Sequence, residues 1–439
     1  MSDIILNKQQ EEAVKKIERW YNTPGKIGSK QIFVLAGYAG TGKTTVINYL
    51  VNNVLNIEME KLAFATPTGK AASILIQKGI KTACTVHRLI YLAKESEELD
   101  SKGKHKTIFV KKTEIPKYDL IILDEVSMIS KNMMKDILSF NCPVLAMGDP
   151  GQLPPVMAEK LDLLEHPDYM LTEIARQAAD NPIIQLSMKA RKGEFIREGR
   201  YGDDVIVMDR NRLPEDVLNK ILNSADQIIC GKNSTRIKIN DYMRALNGHT
   251  SVTPEDGEKI ICYMNNYEID LNEQHEYQLV NGLIGTVNNF KIKNEAEDIA
   301  ILDFKPDFLP NTTTDIISDA GGFLRDEFTY DRHQKIYTLE DGSYTIKRQI
   351  FTRVQKSDPE RYAEHLKEIA IEVKNRKQAT NEVQISQFMY GYCITVHKAQ
   401  GSEWNNVVVF DESDAFPGCR NQFLYTAITR AKNKLVILK

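Results

Sequence analysis

The feature that most constrains this chain is an eight-residue stretch, Gly37-Tyr38-Ala39-Gly40-Thr41-Gly42-Lys43-Thr44, set between an apolar run and a helix start. The run Ile32-Phe33-Val34-Leu35-Ala36 reads as a buried strand, and Thr45-Val46-Ile47-Asn48-Tyr49-Leu50-Val51 as the opening of a helix. The stretch fits G-x-x-x-x-G-K-[ST]. In that strand–loop–helix setting the glycines let successive backbone N–H groups turn inward. The helix N-terminus adds the positive end of its dipole. Both suit phosphate oxygens, so Gly37, Ala39, Gly40, Thr41, Gly42, Lys43, Thr44 and Thr45 form a candidate nucleotide cradle. Lys43 is placed to reach the β- and γ-phosphates, and the Thr44 hydroxyl to hold Mg²⁺.

Strand and helix signals alternate through the first third. Strands are expected at 31–36, 61–66, 120–123 and 143–147, with helices at 43–55, 69–77 and 131–140 between them. That alternation predicts a parallel sheet covered by helices, with ligands at the carboxyl ends of its strands. Residues 91–118 interrupt it with a charged stretch and a short β-like run, Thr107-Ile108-Phe109-Val110, read as a small hairpin excursion. A second α/β region begins near Ile183, with strands at 227–230, 389–395, 407–410 and 435–438. A strand-rich interval from Lys259 suggests a small barrel inserted into it, and 359–383 reads as a charged helix.

At 439 residues, with 42% hydrophobic, the chain has material for two to four domains of roughly 150 residues each. Its net charge of −3 neither favours nor excludes a local basic groove. Six scattered cysteines form no C-x-x-C clip, which argues against a zinc site and for reduced thiols. No apolar run approaches the roughly 20 residues of a membrane span, and no leader pattern opens the chain. A soluble, cytoplasmic protein without membrane contact is expected.

A second phosphate-chemistry element is Leu120-Ile121-Ile122-Leu123-Asp124-Glu125, an apolar strand ending in two acids. Asp124 suits Mg²⁺, and Glu125 suits polarising an attacking water. In Gly148-Asp149-Pro150-Gly151-Gln152-Leu153-Pro154-Pro155, Gln152 is a candidate reporter of the γ-phosphate; a plain Pro/Gly turn is the alternative. Arg176 and Arg430 are candidate γ-phosphate arginines, against a default of surface residues. An arginine so aimed is worth about 10³–10⁵ in rate.

The ordered set resembles superfamily 1 helicases of the RecD/Dda type, in the 5′-to-3′ group. The resemblance is carried by Leu6–Gln10, the phosphate loop, Ala65–Ala72, Thr85-Val86-His87, Asp124–Met128, Gly148–Pro155, Thr395–Glu403 and Tyr425–Arg430. It implies two RecA-like parallel-sheet P-loop domains, at 1–90 with 119–180 and at 181–258 with 386–439. It also implies a pin hairpin at 91–118 and an SH3-like β insertion with a helical extension at 259–385.

By the same resemblance, Gln10 reads the adenine edge. Thr66, Pro67, Thr68 and His87 contact single-stranded DNA, with a structural histidine as the alternative at His87. Thr395, His397, Lys398 and Glu403 lie in a segment facing both DNA and nucleotide, and Arg176 and Arg430 serve the γ-phosphate. Phe109 is the candidate pin residue, stacking on the first base pair; a packed hairpin-core residue is the alternative. The implied function is ATP- and Mg²⁺-dependent unwinding of single-strand-tailed and forked DNA. The expected protein is a monomer, with single-strand-binding or replication proteins as candidate partners. Three rivals stand beside it: an ATP-gated single-strand binding protein that does not unwind, a RecD-like subunit of a nuclease complex, and, more distantly, a metabolic P-loop kinase.

Overall fold

The computed structural model describes residues 5–99, 105–154, 162–174, 180–251, 253–272, 277–294, 299–309, 312–319 and 386–439. Arg176, Pro155 and the helix expected at 359–383 lie outside them. The chain divides into two compact units: residues 1–92, 111–236 and 393–439, and residues 93–110 with 237–392.

In the first unit, helix α1 (Lys8–Asn22) leads to strand β1 (Ile32–Gly37) and helix α2 (Lys43–Asn53). Then come β2 (Leu62–Thr66), α3 (Gly69–Gln77), β3 (Cys84–Thr85) and α4 (Val86–Ile90). Strands β4 (Tyr91–Leu99) and β5 (His105–Lys111), which fall almost wholly in the second unit, pair in a sheet of their own. The first sheet is completed by β6 (Leu120–Leu123), α5 (Lys131–Leu138), β7 (Val144–Gly148) and β8 (Tyr169–Leu171). Its strand order is β3-β2-β6-β7-β1-β8, parallel throughout.

Side-chain alternation explains why this sheet is covered on both faces. Phe33, Leu35, Phe64, Ile122 and Leu145 point to one core with Ala13, Ile17 and Trp20 of α1 and Leu50 of α2. Val34, Ala36, Ala65, Ile121 and Ala146 point to the other with Leu89 and Ile90 of α4 and Ile137 of α5. The strands are therefore apolar on both sides, and the polar motifs are left at their ends. Asp124 and Glu125 follow β6, Asp149 follows β7, Pro67 follows β2, and the phosphate loop follows β1.

The second sheet is built from α6 (Pro182–Arg191), β9 (Gly199–Tyr201), β10 (Val205–Met208), α7 (Glu215–Asn223), β11 (Gln227–Cys230) and α8 (Asn233–Leu246). The chain then enters the second unit. There β12 (Lys259–Cys262), β15 (Ile284–Asn294), β16 (Ile299–Pro306), β17 (Thr314–Asp319) and β18 (Ser386–Tyr390) close a barrel, beside the β13 (Asn266–Asp270) and β14 (Gln278–Leu279) pair. Phe304 and Phe388 meet in its core at 5.0 Å. The chain returns through β19 (Cys393–Thr395), α9 (Val396–Ala399), β20 (Trp404–Phe410), α10 (Arg420–Ile428) and β21 (Ala431–Leu438). The second sheet runs β19-β11-β20-β21-β10-β9, parallel except for the β9 edge.

One sequence expectation is corrected here. The strand read as a single run over Met389–Thr395 is two strands: β18 belongs to the barrel and β19 to the second sheet. Gly391 forms the break. A Cβ there would lie 2.9 Å from the Ile260 backbone, so only glycine passes that close. Edge strands β8 and β9, three residues each and too short to show a period, were not foreseen, nor was β10 beside β9. Among the described residues no helix is long and apolar enough to cross a membrane.

Candidate active site

The phosphate loop spans the gap from β1 to α2. Gly40 and Gly42 take positive φ of 77° and 81°. At Gly42 a Cβ would lie 2.3 Å from the Gln10 amide nitrogen, so this turn needs glycine twice over. Gln10 is buried. Its Nε2 donates to Thr41 O at 3.0 Å, while its Oε1 accepts Asn7 N–H in a capping box at the start of α1. The amide expected to read adenine thus braces the loop. Thr41 is fully buried and turns its hydroxyl onto Tyr38 O at 2.8 Å. Lys43 Nζ lies 2.7 Å from Gly37 O and 3.3 Å from Tyr38 O. Thr44 and Thr45 are half-buried in the first turn of α2.

The two acids stand at the end of β6. Glu125 adopts left-handed backbone (φ 54°) and its N–H donates to Asp124 Oδ1 at 2.9 Å. Such a conformation costs a non-glycine residue about 1–3 kcal/mol and is found most at functional sites. Burial raises the pKa of both carboxyls, and the Asp124 charge raises Glu125 further. Arg430 and Lys43 pull Glu125 the other way, so both cations act on this carboxylate. The pair fits a divalent cation. Desolvated carboxylates gain most from one, and Thr44 and Asp124 are the side chains that would hold Mg²⁺ beside phosphate oxygens and water. Among the described residues there is no metal-holding cluster of three or more His, Cys, Asp or Glu.

The segment after β7 is stitched to the second sheet. Tyr425 Oη donates to Asp149 Oδ2 at 2.6 Å and accepts Ala39 N–H at 2.7 Å. Thr426 Oγ1 accepts Leu153 N–H at 2.9 Å, and Gln400 Nε2 donates to Leu153 O at 2.9 Å. Gln152 lies between these stitches, buried, with an Oε1 that has no hydrogen-bond partner. Such an acceptor is costly to leave unpaired in a finished core, and it suits a donor or metal-bound water that arrives with ligand.

Arg430 is 4% exposed just beyond α10. It donates to Thr426 O, Ser402 O and Thr429 Oγ1 at 3.0, 3.0 and 3.1 Å. The structure therefore places the expected arginine near Glu125 by charge but caged by its own loop. Glu403 is exposed and pairs with Lys432 at 3.6 Å.

The residues expected at DNA, Phe109 apart, lie at or just beyond strand ends of the two sheets. Thr66 is fully buried and donates its hydroxyl to Thr68 O at 2.8 Å, so it shapes the turn. Thr68 caps α3 through Ala71 N–H, and Pro67 is half-buried beside it. His87 and His397 are half-buried, next to Tyr91 (5.5 Å) and Phe416 (5.8 Å), and burial pushes both imidazoles below their usual pKa. Thr395 and Lys398 flank His397 on the edge of α9. Phe109 is 55% exposed on β5.

Tyr425, Asp149, Gln400 and Arg191, whose guanidinium stacks on the Tyr38 ring at 3.3 Å, were not singled out as site residues from sequence. Each acts through a partner more than a hundred residues away or a backbone atom, and a single sequence carries no sign of either.

A glycine-rich phosphate loop at the carboxyl edge of one parallel sheet, tied by side chains to a second parallel sheet, defines a two-sheet P-loop architecture of the nucleotide-binding kind. Residues 5–207 match the AAA domain family, and residues 390–438 the UvrD-like helicase C-terminal domain. The chain is 26% identical to the ATP-dependent RecD2 DNA helicase of Deinococcus radiodurans, across 93% of this chain and 47% of that protein. Over 38% of this chain and 39% of the relative it is 28% identical to the ATP-dependent DNA helicase dda of Enterobacteria phage T4. It thus spans less than half the length of either relative. Its fold matches the crystal structure of a Bacteroides Pif1 helicase with ADP-AlF3 and ssDNA (TM-score 0.51, 16% identity, 99% of this chain and 92% of that one). These likenesses fit a superfamily 1B helicase of the RecD/Dda-like kind.

Proposed function

We propose that this chain is an ATP-dependent DNA helicase that translocates on single-stranded DNA and unwinds duplex ahead of it, with 5′-to-3′ polarity. One observation carries the reading. The segment holding Gln152 is bound on one side to the phosphate loop's own sheet and on the other to Gln400, Tyr425 and Thr426. Gln400 lies in the Thr395–Glu403 segment assigned to DNA. These direct hydrogen bonds offer a route by which a change at the loop would reach the strand-gripping edge. Nucleotide state can move a strand only by changing the relative affinities of two conformations, and this linkage supplies the means.

In this reading Lys43 holds the β- and γ-phosphates, Glu125 orients the attacking water, Gln152 senses the γ-phosphate, and Arg430 neutralises the transition-state charge once out of its cage. Mg²⁺, held by Thr44 and Asp124, would screen phosphate charge. Arg176 is assigned a second γ-phosphate contact by resemblance alone. Thr68, His87, His397 and Lys398 would line the strand path, Thr66 would set its turn, and Phe109 would meet the duplex junction. Forked DNA is the substrate this arrangement suits.

The test is an ATPase assay with and without single-stranded DNA, followed by strand displacement on 5′- and 3′-tailed duplexes. DNA-stimulated turnover with displacement from the 5′ tail is expected. Stimulated turnover without displacement on either tail selects the non-unwinding rival. Turnover indifferent to DNA removes the motor.

A further inference from the structure

Two side chains of the second sheet come onto the first turn of the phosphate loop. Tyr425, 1% exposed on α10, places its hydroxyl between Asp149 Oδ2 (2.6 Å) and Ala39 N–H (2.7 Å). Asp149 is itself buried, and its other oxygen accepts Gly151 N–H at 2.8 Å. The tyrosine ring lies so close to Gly151 that a Cβ there would sit 2.8 Å from its Cε1. Arg191, at the end of α6, stacks on the Tyr38 ring with its guanidinium 3.3 Å from the ring centroid. Burial beside the Asp149 carboxylate pushes the Tyr425 phenol far above its ordinary pKa, so it stays a donor to Asp149.

Ala39 N–H lies in the loop read from the sequence as the nucleotide cradle, where backbone amides suit phosphate oxygens. It lies at the end of the loop where Lys43 Nζ rests, against Gly37 O and Tyr38 O. Lys43 is the group that answers to the β- and γ-phosphates, so this is the terminal-phosphate end. A single N–H cannot donate at full strength to both a phenol oxygen and a phosphate oxygen.

We propose that Tyr425 is a positioning residue, a latch whose hydroxyl holds the Ala39 amide until a terminal phosphate takes it. The exchange would sever a direct bond between the phosphate loop and α10, the helix that leads into Arg430. It would leave the hydroxyl on Asp149, beside Gln152. Terminal-phosphate occupancy would then be read by the second sheet through one hydrogen bond. The inference rests on the nucleotide-driven motor proposed above.

Tyr425→Phe in the whole chain tests it, since the ring is kept and only the hydroxyl is lost. The readouts are equilibrium binding of a fluorescent non-hydrolysable ATP analogue and of ADP, and oligonucleotide affinity with and without the analogue. Removing the competing bond should tighten analogue binding about two- to tenfold, with a smaller change for ADP. The analogue-induced change in oligonucleotide affinity should shrink toward one. Asp149→Asn, which keeps an acceptor but loses the charge, should move both readouts the same way by less.

Unchanged or weaker analogue binding in both variants, with the link to oligonucleotide affinity intact, would make the contact a static brace and overturn the latch. Should Tyr425→Phe fail to fold, the Asp149→Asn readings decide. A wild-type chain whose oligonucleotide affinity ignores the analogue takes down the motor reading and the latch together. Failure of the variants against a responsive wild type takes down only the latch.

Discussion

The Lys43 ammonium lies 2.7 Å from the carbonyl oxygen of Gly37, six residues back in its own loop. The loop thus binds its own cation through backbone, with a second contact to Tyr38 O at 3.3 Å. Replacing Lys43 by Ala removes this brace and the charge meant for phosphate. Turnover should fall about 10²-fold or more, while single-strand affinity stays measurable. Steady-state ATPase and an oligonucleotide titration check it. Turnover equal to wild type would falsify the role given to Lys43.

Arg430 donates to Ser402, Thr426 and Thr429 and is almost wholly buried. Arg430→Ala should lower kcat by about 10³–10⁵ while nucleotide affinity changes far less. It should also lower the melting temperature, because buried carbonyls lose their donors. Kinetics read beside a melt separate the effects. A loss of binding in proportion to the loss of rate would show that Arg430 acts on the ground state.

Phe109 exposes 55% of its surface on β5. Phe109→Ala should leave stability within about 0.5 kcal/mol. It should slow strand displacement while sparing DNA-stimulated ATPase, since a base stacked on an aromatic ring is worth about 1–3 kcal/mol. Both activities are measured on one forked substrate. A parallel fall in both, or no change in either, counts against a pin.

His87 and His397 are both held below the usual imidazole pKa by burial. The folded state therefore prefers them neutral. Above about pH 6.5 the unfolded chain has them neutral too, and their contribution to stability is complete. As pH falls below that value the unfolded chain takes up protons that the fold resists, so stability is lost through the folded pKa values. The His87→Asn, His397→Asn double variant should lose less melting temperature between pH 7.5 and 5.5 than the wild type. An equal or greater loss in the variant would reverse the assignment.

Gly151 has room for no side chain against the Tyr425 ring. Gly151→Ala should cost about 1–3 kcal/mol through overpacking and weaken the Tyr425–Asp149 contact. A melt, compared with a Tyr425→Ala, Gly151→Ala double variant, tests this. Additive losses would place the strain elsewhere.

Much of the first sheet was legible because its strands are short apolar runs with helical periods between them. Helix α3 runs Gly69–Gln77, as read from the sequence, and the strand at Leu120–Leu123 likewise. The barrel's last strand was not legible. Ser386–Tyr390 and Cys393–Thr395 form one apolar run, and only long-range pairing with β12 and β11 separates them.

By itself the sequence determined the phosphate loop, the paired acids after β6 and the alternation that makes parallel sheets. Those depend on residue type at fixed local spacing, which local physics reads directly. Only the tertiary structure decided that Gln10 braces the loop, that Arg430 is caged, and that Tyr425 sits on Asp149 and Ala39. The Gln10 and Tyr425 contacts join residues 31 to 386 positions apart, and the Arg430 cage reaches back to Ser402 O, 28 positions away. A hydrogen bond of that kind leaves no period or composition in the chain, because its partner is chosen by the fold.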